Sequence, residues 1–110
     1  MHMPKYLISM YGPTAPDPTR DEGKDVEAHN AYGQQITTEG ILRFACAVVD
    51  PDATVTLGNT HDHAADAEPK SALVGVYVIE IDSMDEALAV AQRNPINEQG
   101  GYLEVREIEA

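Results

Sequence analysis

His29 is the side chain of this sequence best suited to proton-transfer chemistry. An imidazole changes its charge near neutral pH, so it can act as a general acid or base. His29 shares a stripe with Val26, Gly33 and Ile36, at the helical spacings of three and four residues. This stripe should face a sheet, which is compatible with a site for a ligand or for proton transfer. The alternative is a core histidine whose nitrogens bond to backbone groups or to tyrosine hydroxyls.

Gly33 is an unexpected member of this stripe, because glycine costs about 1 kcal/mol relative to alanine inside a helix. The helix should begin between Asp21 and Asp25 and run to about Glu39, with Gly40 as its C-terminal stop. A glycine at position 33 therefore indicates either a closely packed neighbouring element or a need for space beside His29.

His61, Asp62 and His63 are candidate metal ligands. In an extended segment residues i and i+2 share a face, and imidazole with carboxylate suits first-row metal ions. Asp66 lies close by in the sequence, but no second ligand motif of the His-Glu-x-x-His type occurs. We therefore predict a solvated acidic loop, with no metal and no cofactor, and keep a metal site at His61 and His63 as the alternative.

Tyr6 and Tyr77 fall on two strands that should be neighbours, and we predict that both contact a ligand in one cleft. The other tyrosines are typical of an amphipathic core. Nucleophilic catalysis is not indicated, because the sequence has no Gly-x-Ser-x-Gly motif. Its only cysteine, Cys46, lies in an apolar strand, so we expect a buried structural thiol and no internal disulfide.

The composition excludes several classes of partner. Lys and Arg number 7 against 19 Asp and Glu, for a net charge of −12 at pH 7. This charge repels phosphate backbones and anionic lipid, so we expect no nucleic-acid and no membrane partner. The N-terminus lacks the features of a signal peptide, which predicts a cytoplasmic location. The 110 residues should form one domain, 1–110, in which Met1 and His2 resemble an expression remnant.

The run from Leu73 to Ile81 is almost continuously apolar and β-branched, which predicts a strand buried on both faces. Ser83-x-x-Glu86 then forms a capping box that starts a second helix. The predicted apolar stripe of that helix is Met84, Ala87, Leu88 and Ala91. Further strands are predicted at 5–11, 41–49, 54–57 and 102–108, the third being a short edge strand.

This order of elements predicts an α+β fold of the ferredoxin-like type, an antiparallel sheet with two helices on one face. The other face of the sheet then has no helix to cover it, although its strands are apolar on both sides. A monomer rarely exposes so large an apolar surface. We therefore predict a two-fold homodimer in which a second copy packs sheet to sheet.

Three segments of the chain carry a family resemblance. They are Pro4-Lys5-Tyr6-Leu7-Ile8, then Ala67-Glu68 with Lys70, Leu73, Gly75 and Tyr77-Val78-Ile79, and finally Pro95, Gly101 and Glu104-Val105-Arg106. On these segments the chain resembles the YCII-related proteins, in particular the branch named for an Asp-Gly-Pro-Phe motif. This chain has His63-Ala64-Ala65-Asp66 in place of that motif, so the motif's role does not carry over.

The resemblance implies a dimeric α+β barrel with a cleft between sheet and loops. In another branch a histidine of the first helix is assigned a catalytic role with an aspartate. Ala28-His29 matches that pattern, and Asp50 lies near the aspartate's place, so His29 and Asp50 become the predicted catalytic residues. The resemblance further implies a homodimer that binds a small molecule and, as an enzyme, a hydrolase or lyase. The alternative is a non-enzymatic regulatory or interaction protein, since relatives with the named motif are often associated with alternative sigma factors.

Overall fold

The computed structural model describes residues 3–13, 17–55, 57–58 and 72–109. They form four strands and two α-helices, with a 3₁₀ turn before the third strand and another before the fourth. In chain order the elements are β1 (Lys5–Tyr11), α1 (Glu22–Thr38), β2 (Leu42–Ala47), the 3₁₀ turn Pro51–Ala53, β3 (Leu73–Glu80), α2 (Met84–Gln92), the 3₁₀ turn Pro95–Glu98 and β4 (Tyr102–Ile108).

The sheet has the strand order β2-β3-β1-β4, and each neighbouring pair is antiparallel. This order, with a helix after β1 and another after β3, is the predicted ferredoxin-like arrangement. The apolar run that was predicted to be central is β3, which pairs with both β1 and β2. The short edge strand predicted at 54–57 is wrong, because residues 54, 55 and 57 have no strand pairing and follow a 3₁₀ turn.

One face of the sheet, here called the covered face, carries both helices. Its core joins alternate residues of β1 and β3 to the inner sides of α1 and α2. The buried members of this core are Tyr6, Ile8, Tyr32, Ile36, Tyr77, Ile79, Ala87, Val90 and Ala91. Both helices therefore pack on the same face, as predicted.

The helices turn slightly away from the predicted stripes. In α1 the buried residues are Tyr32 and Ile36, whereas Val26 is 58% exposed. In α2 Val90 is buried, but Leu88 is 43% exposed. The stripe prediction failed at these positions because spacing alone does not fix the rotation of a helix against the sheet or how much of its length the sheet covers.

The opposite face, here called the open face, has no helix on it among the described residues. Phe44 pairs with Val78 and Cys46 with Val76 on this side of β2 and β3. The prediction that Cys46 is buried is wrong, because Cys46 is exposed. The predicted burial of this face of β3 depends on a second copy, and within one subunit Val74 is 38% exposed. The open face is nevertheless apolar over β2 and most of β3, as the sequence indicated, whereas Ser9, Glu104 and Arg106 make its β1–β4 half more polar.

A bidentate ion pair joins the C-terminal ends of the two helices across the covered face. Both terminal nitrogens of Arg93 lie 2.9 Å from the carboxylate oxygens of Glu39. No helix within the described part of the chain is long and apolar enough to cross a membrane.

Candidate functional site

A cleft of about 340 Å³ lies between α1 and the covered face of the sheet. Small-molecule sites in proteins usually have volumes of roughly 300–1,000 Å³ and apolar walls with a few polar groups. The cleft has this composition: its apolar lining includes Met10, Ile36, Leu42, Ala45 and Ala47, and its polar side chains are His29, Asn30, Tyr32, Tyr77 and Asn94. We call it the helix–sheet cleft.

His29 lies on α1 at the wall of this cleft and is half-buried. Its Nε2 atom lies 2.9 Å from Oε1 of Gln99, which follows the 3₁₀ turn Pro95–Glu98. The histidine is therefore held between a helix and a turn that are 70 residues apart in the sequence. His29 is the only imidazole among the described residues that line the cleft.

A buried hydrogen-bond chain forms the floor of the cleft. The Tyr32 hydroxyl donates to the carbonyl oxygen of Val90 at 3.1 Å, and it lies 2.8 Å from the Tyr77 hydroxyl. Since Tyr32 has only one proton, Tyr77 must donate to the Tyr32 oxygen. Asn94 Nδ2 donates to the Tyr77 oxygen at 3.2 Å. Both hydroxyl protons are therefore used inside the protein, and the Tyr77 oxygen has one further acceptor lone pair.

Burial keeps these phenols protonated. Desolvation is the largest cause that raises the pKa of Tyr32 above its ordinary value. Desolvation also raises the pKa of Tyr77, against a smaller opposing effect of the hydrogen bond from Asn94. Neither tyrosine is thus available as a base at neutral pH.

Gly33 lines the cleft one helical turn after His29, and a Cβ atom placed on it would meet no atom within 4 Å. Of the two explanations considered for this glycine, close packing is therefore excluded and space is supported. By contrast, a Cβ on Gly75 would lie 2.8 Å from the Cys46 carbonyl oxygen, so that glycine is needed for strand packing.

The structure brings only part of the predicted site together. His29 and Tyr77 line the cleft, but Tyr6 is 2% exposed in the core and does not belong to the cleft lining. Asp50 caps the 3₁₀ turn Pro51–Ala53 and lines a different depression, beside Val48. Catalytic roles for His29 and Asp50 stay predictions.

The candidate metal ligands His61 and His63, with Asp62, Asp66 and the segment that replaces the family's tetrapeptide, lie outside the described residues. Met1 and His2 lie outside them as well. Within the described residues, no group of three or more His, Cys, Asp and Glu side chains could hold a metal ion.

Sequence reasoning missed three residues of the site: Tyr32, Asn94 and Gln99. Tyr32 lies three residues after His29, so the helical spacing could have placed it beside the cleft. Asn94 precedes Pro95, and Asn-Pro is a turn signal that indicates a capping side chain. Asn94 indeed accepts from the Ile96 amide at 2.9 Å. Gln99 carried no local signal, since its partner is distant in the sequence.

Comparison with known proteins adds a family and a fold. The model of the YCII-related domain matches residues 5–110. Among solved structures the chain is similar to 5-chloro-2-hydroxyhydroquinone dehydrochlorinase from Burkholderia phenoliruptrix in complex with 2,5-dihydroxybenzoquinone, with a TM-score of 0.57 and 16% identity over 96% of this chain and 93% of that one. At this identity the likeness shows the fold alone. No curated protein matches the chain significantly.

Proposed function

This chain belongs to the YCII-related family, and from that premise we propose that it is a homodimer that binds a small molecule in the helix–sheet cleft, with His29 as a general acid or base. The observation that carries the proposal is the empty space at Gly33 beside His29. A glycine in the middle of a helix lowers the stability of that helix, and at position 33 neither close packing nor a positive φ requires one. A ligand in that space would explain it.

The cleft supports a binding role further. Its apolar walls can take the body of a small molecule, while His29 at the wall and the Tyr77 oxygen at the floor supply polar contacts. Of the two tyrosines predicted to contact a ligand, the proposal keeps Tyr77 and leaves Tyr6 in the core. Asp50 enters only as a residue to be tested.

The similar dehydrochlorinase favours an enzyme of the proton-transfer class. Its name describes the removal of hydrogen chloride, a reaction in which the substrate loses a proton. An imidazole at the wall of an apolar cleft suits that kind of step. The compound in that structure, 2,5-dihydroxybenzoquinone, is therefore a reasonable first member of a ligand screen for this protein.

The second candidate is a non-enzymatic regulatory or interaction protein. The side chains of Val49, Val55 and Leu57 after β2 are 77%, 81% and 88% exposed, and such apolar residues suit a protein partner. A filled, dry core beside His29 would favour this second function, whereas an unfilled cleft favours the first. A cytoplasmic location belongs to either proposal as a prediction.

The test of the cleft is a thermal-shift and NMR ligand screen of the wild-type protein and matched variants. Gly33→Leu should fill the cleft and abolish binding, while Ala31→Leu, on the exposed side of the same helix, should leave binding intact.

For a ligand that is turned over, His29→Gln should lower the rate about 10²–10⁴-fold, the usual contribution of general acid–base catalysis. Equal binding by Gly33→Leu and wild type would refute the cleft, and unchanged turnover in His29→Gln would refute the role of His29. Asp50→Asn tests the predicted second catalytic residue in the same assay.

The homodimer is supported by the apolar side chains of the open face. Phe44 is 56% exposed and Val74 is 38% exposed there, and a second copy placed sheet to sheet would bury them. Phe44→Glu should convert the protein to a monomer in sedimentation velocity at low micromolar concentration. Val26→Glu, which also places a glutamate at an exposed apolar position but on α1, should leave the protein dimeric. A wild-type protein that is already monomeric at this concentration would refute the dimer.

A further inference from the structure

Gln99 makes the one polar contact that the described residues offer to the His29 ring. The contact joins Nε2 of His29 to Oε1 of Gln99 at 2.9 Å, and it is partly buried. An amide oxygen accepts hydrogen bonds and cannot donate them, so Nε2 must carry the proton. A neutral imidazole has only one N–H, and Nδ1 is therefore unprotonated.

The backbone of Gln99 is held in place independently of His29. Its amide donates to the Ile96 carbonyl oxygen at 3.1 Å, and Arg20 Nη1 donates to the Glu98 carbonyl oxygen at 3.2 Å. Asn97 Nδ2 donates to the Ala91 carbonyl oxygen at 3.1 Å, which ties the 3₁₀ turn to α2. The Gln99 side chain thus reaches the ring from a backbone turn that these hydrogen bonds hold in place.

The chemistry of the cleft agrees with this orientation. The Tyr77 proton is donated to Tyr32, so Tyr77 offers only a lone pair, and with an unprotonated Nδ1 both the His29 ring and Tyr77 present acceptors to the cleft. A ligand that fits such a site brings the donor itself, as a hydroxyl, an amine or an acidic C–H group.

We propose that Gln99 is a positioning residue that holds His29 in the Nε2–H tautomer, so that the free enzyme presents Nδ1 as a proton acceptor to a ligand that carries the proton. This inference rests on the proposed function. Of the two roles proposed there for His29, general acid or general base, it assigns the general base to the first step. Nδ1 takes the proton, the electron pair of the broken bond stays on the ligand, and the imidazolium that forms still donates through Nε2 to Gln99. The amide partner orients the ring without adding a charge.

Long-range ¹H–¹⁵N NMR of the histidine rings tests the tautomer without any substrate. The signals of His29 are assigned as those missing from the His29→Gln spectrum. The wild-type ring should show Nε2–H. Gln99→Glu, which keeps an acceptor, should preserve this form, whereas Gln99→Lys, which offers only donors, should make Nδ1–H the major form. Gln92→Lys, the same change at an exposed glutamine of α2, should leave the wild-type pattern.

Backbone amide spectra show whether each variant keeps the fold. A folded Gln99→Lys protein that retains the wild-type tautomer, or a wild-type ring that carries its proton on Nδ1, would overturn the proposal. These results are separate from the ligand screen. If Gln99 sets the tautomer but His29→Gln leaves turnover unchanged, the contact between Gln99 and His29 is confirmed and the catalytic role of His29 is refuted.

Discussion

The two faces of the sheet use the same strands for different purposes. On the covered face Tyr77 and Ile79 of β3 are 4% and 0% exposed under the helices. On the open face Val76 and Val78 alternate with them, equally apolar, yet no described helix covers them. Successive side chains of one strand therefore point to two different interfaces. One is the core formed within the chain, and the other is a surface that we propose a second copy covers.

Truncation of a buried residue on the covered face should give the largest effect. Ile79 is fully buried, so Ile79→Ala should lower the free energy of unfolding by about 2–5 kcal/mol through lost burial and a cavity. Val78→Ala, one residue along the same strand, should cost clearly less. Both are measured by urea denaturation in a Phe44→Glu background, so that dimerisation does not cover the open face. Equal losses at the two positions would show that the faces do not differ in this way.

Removal of one hydroxyl should give an intermediate effect, again on the covered face only. Tyr77→Phe leaves Asn94 Nδ2 and the Tyr32 oxygen without their shared partner, which should cost about 1–3 kcal/mol of unfolding free energy. Tyr102→Phe is the matched change, because Tyr102 stacks on Tyr11 at 4.7 Å and is 53% exposed. Its unfolding free energy should stay within about 0.5 kcal/mol of wild type. A larger loss in Tyr102→Phe than in Tyr77→Phe would contradict the comparison.

The fold was predictable because its signals are local. The apolar run of β3 and the Ser83 cap, whose hydroxyl accepts from the Glu86 amide at 3.2 Å, each show in a few consecutive residues. The edge strand at 54–57 was mispredicted because a short alternating pattern also suits an extended loop. The burial of Cys46 was mispredicted because an apolar strand does not reveal which of its faces lacks a cover.

The site was predictable in part, on α1 and at Tyr77 of β3. His29 and Gly33 stand out by residue type within a helical stripe, so sequence spacing finds them. Gln99 and Asn94 reach the site through tertiary contacts, and their partners His29 and Tyr77 are 70 and 17 residues away. Such pairings depend on the register of the sheet and the rotation of the helices, which a single sequence does not fix.

The smallest expected effect concerns the ion pair that joins the two helices of the covered face. Hydrogen bonds from Arg93 are the largest cause that lowers the pKa of Glu39 from its ordinary value of 4.5. A lowered pKa means that the pair stabilises the fold above pH 4.5 and that this contribution is lost as the pH falls through the folded-state value. The side chains are 38% and 37% exposed, so solvent screening keeps the contribution small.

Glu39→Gln should therefore lower the melting temperature slightly at pH 7, and the difference from wild type should close as the pH falls below 4.5. In an Arg93→Met background the same substitution should have no effect at either pH, because the partner charge is absent. Thermal melts of the four proteins across this pH range measure the coupling directly. A difference that persists at low pH, or that survives without Arg93, would assign the effect to helix propensity at the end of α1. The ion pair between Glu39 and Arg93 would then contribute nothing to holding the two helices over the cleft.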